Sequence, residues 1–187
     1  KIANKNIELL SNIVTNEIPL IGIEPSAILT FRDEYPDLAD EQNLASAKAL
    51  ARNTFLIDEF IANEISKGNI QKEAFTKNAR LIKLHGHCQQ KAIASVAATQ
   101  TILSFPENYK VEVIPSGCCG MAGSFGYEKE HYDLSMQIGE LVLLPAVRNQ
   151  LSDTIIAAPG TSCRHQIKDG AQKIALHPVE ILFEALV

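Results

Sequence analysis

The sequence predicts an α/β fold, a parallel sheet of βα units with helices on both faces and a cysteine site at the carboxyl edge of the strands. Three observations predict it. Short β-branched runs alternate with longer segments of helical period, the pattern of βα units. The expected strand exits carry Gly, His, Cys and Ser rather than core residues. All four cysteines of the 187-residue chain fall at such exits.

The expected strands are Pro19–Ile23, Arg80–His85, Lys110–Ile114, Asp153–Ala158 and Lys173–Leu176. Between the first two, Asn43–Ser66 reads as one long helix. Leu44, Ala47, Ala51 and Phe55 form one row there, and Leu50, Ile57, Ile61 and Ile65 a second. Gly68-Asn69 ends it. Gln90–Leu103 reads as an Ala-rich helix, and His131–Asn149 as an apolar one that Pro145 kinks or breaks. Pro178 suits the first turn of a closing helix over Val179–Leu186. Right-handed crossovers bring the exits of a parallel sheet to one rim, where ligands bind. The core is thereby left to Val, Ile and Leu, with the reactive groups at the edge.

Hydrophobic content of 46% and charged content of 21% are those of a globular domain that can bury a sizeable core. A formal charge of −5 and 17 scattered Lys and Arg, without a basic run, predict no nucleic-acid partner. The longest apolar windows, such as Ile138 to Val147, are broken by Gly139 and Glu140, so no transmembrane span is predicted. No signal-peptide layout precedes them. The expected place is therefore the cytoplasm, or the inner face of a membrane as a peripheral protein. Opening at Lys1 in a helical pattern, without an initiator Met, the chain reads as a piece of something longer.

The cysteines are Cys88, Cys118, Cys119 and Cys163. In a reducing compartment, clustered cysteines serve metal binding or redox chemistry more often than structural pairing. Cys88 and Cys163 adjoin helix N-termini, whose dipole favours thiolate, the metal-binding form. On a strand, Cys118 and Cys119 would face opposite ways. They converge only in a turn, which Gly117, Gly120, Gly123 and Gly126 supply. Gly117 and Gly120 are expected to shape that loop, whose inward N–H groups make a nest for an anion. The residues leave several readings open: an iron–sulfur or thiol-redox centre, structural zinc held by thiolates with His87 or His165, inert buried thiols, an adventitious disulfide, or a phosphate cradle. His85 and His87 alternate at a strand end, so at most one is expected to face the site.

Three stretches carry a resemblance: His87-Cys88-Gln89-Gln90-Lys91-Ala92, Ser116 to Gly126 with Gly117-Cys118-Cys119-Gly120 at its heart, and Gly160-Thr161-Ser162-Cys163-Arg164-His165-Gln166. Together they resemble the cysteine-rich CCG domain of heterodisulfide reductases, the iron–sulfur subunit of glycolate oxidase and fused FAD-linked oxidoreductases of D-2-hydroxy acids. Gly22 to Pro36 is similar to the closing segment of a first such repeat. The resemblance implies that residues 1–70 end repeat one and connect to a complete second repeat over 71–187, the two forming one compact unit.

It also implies an iron–sulfur electron-transfer module of an FAD-linked oxidase of 2-hydroxy acids such as D-lactate, glycolate or 2-hydroxyglutarate. Cys88, Cys118, Cys119 and Cys163 would hold the cluster, a [4Fe–4S] centre. The partners implied are flavin and ferredoxin-like domains of a parent protein, with FAD bound there, and an acceptor such as a quinone. The 187 residues alone would not be catalytically competent. A zinc-stabilised docking module and a thiol–disulfide redox domain are the alternatives. Two departures stand out: Gly160 where the family motif closes on Cys-x-x-Cys, and Ala27 where repeat one often has cysteine.

Overall fold

The computed structural model describes residues 1–187. The first third comprises α1 (Ile2–Leu10), β1 (Leu20–Gly22), α2 (Pro25–Ile28), α3 (Glu34–Leu38), α4 (Leu44–Arg52), β2 (Thr54–Leu56) and α5 (Ile57–Ser66). The remainder comprises β3 (Arg80–Leu84), α6 (Cys88–Ile93), α7 (Ala97–Leu103), β4 (Tyr109–Val113), α8 (Tyr132–Glu140), α9 (Leu143–Arg148), β5 (Ile155–Ala157), α10 (Thr161–Ala171), β6 (Ala175–Leu176) and α11 (Pro178–Glu184). Strands β4-β3-β5-β6 form one parallel sheet, and β1 pairs with β2 in a second parallel ribbon.

Helices cover both faces of the larger sheet, as predicted. Side chains alternate across a strand, so Ala157 packs with Ile82, Leu84, Ile102, Leu103 and Ile181 on one face. Ile156 and Ala158 pack with Leu143, Leu144, Val147 and Ile167 on the other. The expectation that the core stops short of the sulfur site is overturned. Cys119 and Cys163 are members of this second core, 3% and 1% exposed. A thiol is small and apolar enough to close-pack with Leu and Ile.

All five expected strands are present within a residue or two, but three expected helices are each divided. Asn43–Ser66 is interrupted by β2, because the backbone of β1 needs a partner and Thr54–Leu56 supplies it. Leu20 N–H donates to Asn53 O at 2.9 Å where the pairing begins. Phe55 and Ile57 fall on the helical rows while serving β2 and the first position of α5. Gln90–Leu103 divides at Ala94-Ser95-Val96, where Ser95 Oγ accepts the Ala97 N–H at 3.1 Å and opens α7. His131–Asn149 divides at Leu141-Val142, not at Pro145. Pro145 sits in the first turn of α9, where a missing N–H leaves no hydrogen bond unmade.

The two sheets are tied at their strand exits. Glu24 Oε2 accepts the Thr161 N–H at 2.8 Å, and His177 Nε2 donates to Ile23 O at 3.0 Å. His177 Nδ1 caps α11 by accepting the Val179 N–H, which fixes the proton on Nε2. No helix is long and apolar enough to cross a membrane.

Candidate metal centre

The exits of β3, β4 and β5 lie at one edge of the sheet, and they bring the cysteines together. Cys88 opens α6, whose cap is His87. Cys163 lies in the first turn of α10. Cys118 and Cys119 occupy the loop after β4. None of the four is in a disulfide.

The thiols form a chain. Cys118 lies within hydrogen-bonding reach of Cys88 and Cys119, and Cys119 within reach of Cys118 and Cys163. Cys88 and Cys118 are half-buried, whereas Cys119 and Cys163 are enclosed. A cavity of about 280 Å³ opens beside them, lined by Ser26, His87, Cys88, Cys119, Gly123 and Ser162 among others. A larger open groove of about 580 Å³, bordered by Arg32, Arg52, Phe55 and Glu59, lies away from the cysteines. Its Arg32 is engaged by Glu59 and Thr54 O, so the smaller cavity is the chemically equipped one.

The vicinal pair converges through a turn, as the spacing requires. Gly120 (φ 102°), Ala122 (φ 40°) and Gly123 (φ 69°) all have positive φ. That run directs the Gly120 N–H to Cys118 Sγ at 3.3 Å. Gly120 is required outright, since a Cβ there would overlap the carbonyl oxygen of Ser135. Gly117, expected to shape the loop as well, has open space where a Cβ would go and no positive φ. Lys91 takes that anchoring role instead. Its Nζ donates to Ser116 O and Gly117 O, both at 2.7 Å, and ties α6 to the loop.

The thiol acidities divide by position in the chain of sulfurs. Hydrogen bonds from Cys119 and Cys88, aided by the loop N–H groups, hold Cys118 far below the ordinary thiol range. The Cys119 thiol lowers Cys163 to about 5 against its burial, with His85 beside it assisting. The expectation of an acidified Cys88 is overturned. Its thiol is pushed up because it donates to Cys118, with burial adding, and this outweighs its helix terminus.

The histidines sort differently from expectation. His165 is exposed at the site's margin, its Nδ1 within 2.6 Å of the Tyr127 hydroxyl. His87 packs its ring edge over Gly160, and its Nδ1 accepts the Gln89 N–H at 3.3 Å. His85, absent from the ligand set that the sequence suggests, is fully buried. Donor atoms of His85, Cys119 and Cys163 all lie within 4.8 Å of one another. The only signal for it was its place at the exit of β3, two residues from His87 and equally plausible on alternation alone.

No protein-family model matches the chain, and no solved structure matches it. Similarity to curated proteins is nonetheless distributed over its full length. It is 28% identical over 187 residues to a D-2-hydroxyglutarate dehydrogenase of Escherichia coli (strain K12), covering 100% of this chain and 17% of that protein. It is 28% identical over 196 residues to the D-2-hydroxyglutarate dehydrogenase of Haemophilus influenzae, covering 18% of it. Against one subunit of the anaerobic glycerol-3-phosphate dehydrogenase of E. coli K12 it is 27% identical over 188 residues, covering 45% of that polypeptide. The chain thus spans less than half the length of these relatives, all named as dehydrogenases or as part of one.

Proposed function

We propose that this chain is the electron-transfer module of a larger oxidoreductase that dehydrogenates a 2-hydroxy acid of the 2-hydroxyglutarate kind. The observation that carries the reading is the gathering of four free thiols from three strand exits beside a half-open cavity. Full-length similarity to parts of dehydrogenases supports it. Four thiols and a loop that offers N–H groups to sulfur are a donor set suited to an iron–sulfur cluster. Cys88, Cys118, Cys119 and Cys163 would hold it, and when bound it would take up and release single electrons. Substrate oxidation and the flavin would fall to other parts of the parent protein. A quinone or similar acceptor would receive the electrons.

The domain reading draws support from the topology. Strand β1 followed by α2, then β2 and α5, parallels β5 followed by α10, then β6 and α11. In each set the two strands are adjacent and parallel. Ala27 and Cys163 are both third residues of the first helix in their set. Residues 1–70 would then close a first repeat whose thiol has become Ala27, and 71–187 would be the second.

A zinc-stabilised docking module is the second reading. It is favoured by the compactness of the His85, Cys119 and Cys163 donors, close to what a single tetrahedral ion requires. Iron, zinc and acid-labile sulfide analysis of anaerobically purified protein separates the two. Iron and sulfide in stoichiometric amounts, with broad visible absorption that Cys119→Ser abolishes, are expected. One zinc per chain without sulfide would replace the electron-transfer reading with the docking one, and metal-free protein would overturn both.

A further inference from the structure

We propose that the centre has a mixed nitrogen–sulfur ligand set, in which His85 binds the metal through Nε2 alongside Cys119 and Cys163. This rests on the metal-centre reading above but not on which metal is present. His85 lies at the exit of β3 with no solvent exposure. Its Nδ1 is 2.7 Å from Ser116 Oγ, and its Nε2 has no hydrogen-bond partner. A buried, unpaired imidazole nitrogen is costly, and nearly all such atoms in folded proteins find a partner. Here one donor atom of the ring lies within 4.8 Å of both enclosed sulfurs. Ligands around one tetrahedral ion with bonds of about 2.0–2.3 Å stand about 3.5–3.8 Å apart, so modest side-chain rotation closes the set.

The tautomer favours coordination. With Ser116 Oγ accepting the His85 Nδ1–H across the 2.7 Å contact and donating towards Ile114 O, the lone pair of Nε2 is left for a metal, and this is the tautomer the proposal takes. This is the arrangement in which a ligating histidine donates its other N–H to a fixed acceptor.

His87 has the opposite tautomer and therefore the opposite role. Its Nδ1 accepts the Gln89 N–H, so a neutral ring carries its proton on Nε2, the nitrogen on the Gly160 side. A Cβ at position 160 would overlap His87 Cδ2 and stand 3.3 Å from Cys163 Sγ. The His87 ring thus occupies the room in which a side chain at 160 would lie. It supplies an N–H to the site's rim, not a lone pair. The thiol that a Cys-x-x-Cys closing motif would place there is absent, and the nitrogen donor comes from two residues upstream of His87.

The test is X-ray absorption at the edge of the resident metal, on anaerobically purified protein, with metal content measured in parallel. Wild type is expected to show an imidazole scattering signature together with sulfur. His85→Ala should lose that signature and most of the metal, whereas His87→Ala should retain the signature. His85→Cys should retain metal with an all-sulfur shell and, for a redox-active metal, a lowered midpoint potential, since nitrogen in place of thiolate raises it. Ser116→Ala, which leaves His85 in place, should weaken metal binding about 10–100-fold. If His85→Ala does not fold, wild type and His87→Ala decide the question alone. An all-sulfur shell in metal-loaded wild type, or an imidazole signature lost in His87→Ala and kept in His85→Ala, would overturn the ligand assignment while leaving the metal centre standing. Wild type without metal would overturn the centre and the assignment together.

Discussion

Glu24 Oε2 accepts the backbone N–H of Thr161 at 2.8 Å, so a carboxylate from the first segment caps the helix that carries Cys163. The residues are 137 positions apart in sequence. Ser26 Oγ donates to the other carboxylate oxygen at 2.9 Å and holds it in place. Burial pushes the Glu24 pKa up, but the bonds from Thr161 and Ser26 and the proximity of His87 outweigh it, and the net direction is down. Glu24→Ala is expected to lower unfolding stability by about 1 kcal/mol, the usual worth of a helix cap. Because the folded pKa is depressed, the contribution is present above the ordinary carboxylate pKa and is lost as pH falls through the folded value. Urea unfolding of wild type and variant should therefore converge in acid. A gap that persists there would mean Glu24 acts by packing alone.

His87 and Gly160 contend for one volume. Gly160→Ala is expected to destabilise the chain by about 1–3 kcal/mol, because the new Cβ overlaps the His87 ring in a packed site. Removing that ring should restore the room. The double variant Gly160→Ala with His87→Ala should be less destabilised than the sum of the single changes. Additive losses in chemical denaturation would show that the ring does not fill that space.

Cys119 tests how closely site and core are joined. It is packed with Met121, Leu144 and Ile167 and is 3% exposed, so serine there would bury a hydroxyl among apolar neighbours. Cys119→Ser is expected to lower stability by about 1–3 kcal/mol even in metal-free protein. Cys88→Ser, at the half-buried end of the sulfur chain, should cost much less. Equal effects of the two in metal-free urea titrations would contradict the enclosed placement of Cys119.

The strand exits were legible in the sequence because glycine, histidine and cysteine cluster there while the strands are β-branched. That fixed the rim on which Cys88, Cys118, Cys119 and Cys163 meet. β2 was not legible: Phe55 and Ile57 continue the apolar rows of the flanking helices, and only the unpaired backbone of β1 calls for a strand. The division at Leu141-Val142 was hidden because Pro145 offered a more obvious breakpoint and proved compatible with a first helical turn. His85 was missed because alternation allows at most one of the two histidines at the site, whereas both lie there, His85 beside the enclosed sulfurs and His87 lining the cavity. The Ser116 contact that holds the His85 ring comes from the loop after β4. The acidity of Cys88 went wrong for a related reason. A helix terminus is visible in sequence, but the neighbouring thiolate to which Cys88 donates is a tertiary contact.

The two glycines at the loop's start should respond in opposite ways. Gly120→Ala combines a positive φ of 102° with a Cβ that overlaps Ser135 O, and Gln166 Nε2, 3.0 Å from that Cβ, blocks a simple shift. It is expected to cost about 3 kcal/mol or more, in the range of severe core overpacking and backbone strain. Gly117→Ala has neither problem and should change stability by about 0.5 kcal/mol or less. Melting temperatures of the metal-free variants give the comparison. A loss at Gly117 as large as that at Gly120 would mean that the loop is held differently from the way Lys91 holds it here.

Asp58 is buried between the two halves of the molecule, 2% exposed, with Oδ2 accepting from Thr99 Oγ1 at 2.5 Å and Oδ1 without a partner. Gln90, two residues beyond Cys88, donates to the same Thr99 oxygen at 2.9 Å. Burial raises the Asp58 pKa, and the Thr99 bond and His177 only partly offset it. The sign follows from which state holds the proton more tightly. With the folded pKa above the unfolded one, the folded state is favoured most in acid. That advantage disappears as pH rises from the unfolded value through the folded one, and the full cost of a buried charge is present beyond it. Asp58→Asn keeps an oxygen for Thr99 and removes the charge. It is therefore expected to stabilise the chain by about 1 kcal/mol near neutral pH and to give little or no gain at about pH 4. Urea midpoints at the two pH values check this. A gain that does not depend on pH would mean that the pKa of Asp58 is the same in the folded and unfolded states, against the direction burial imposes.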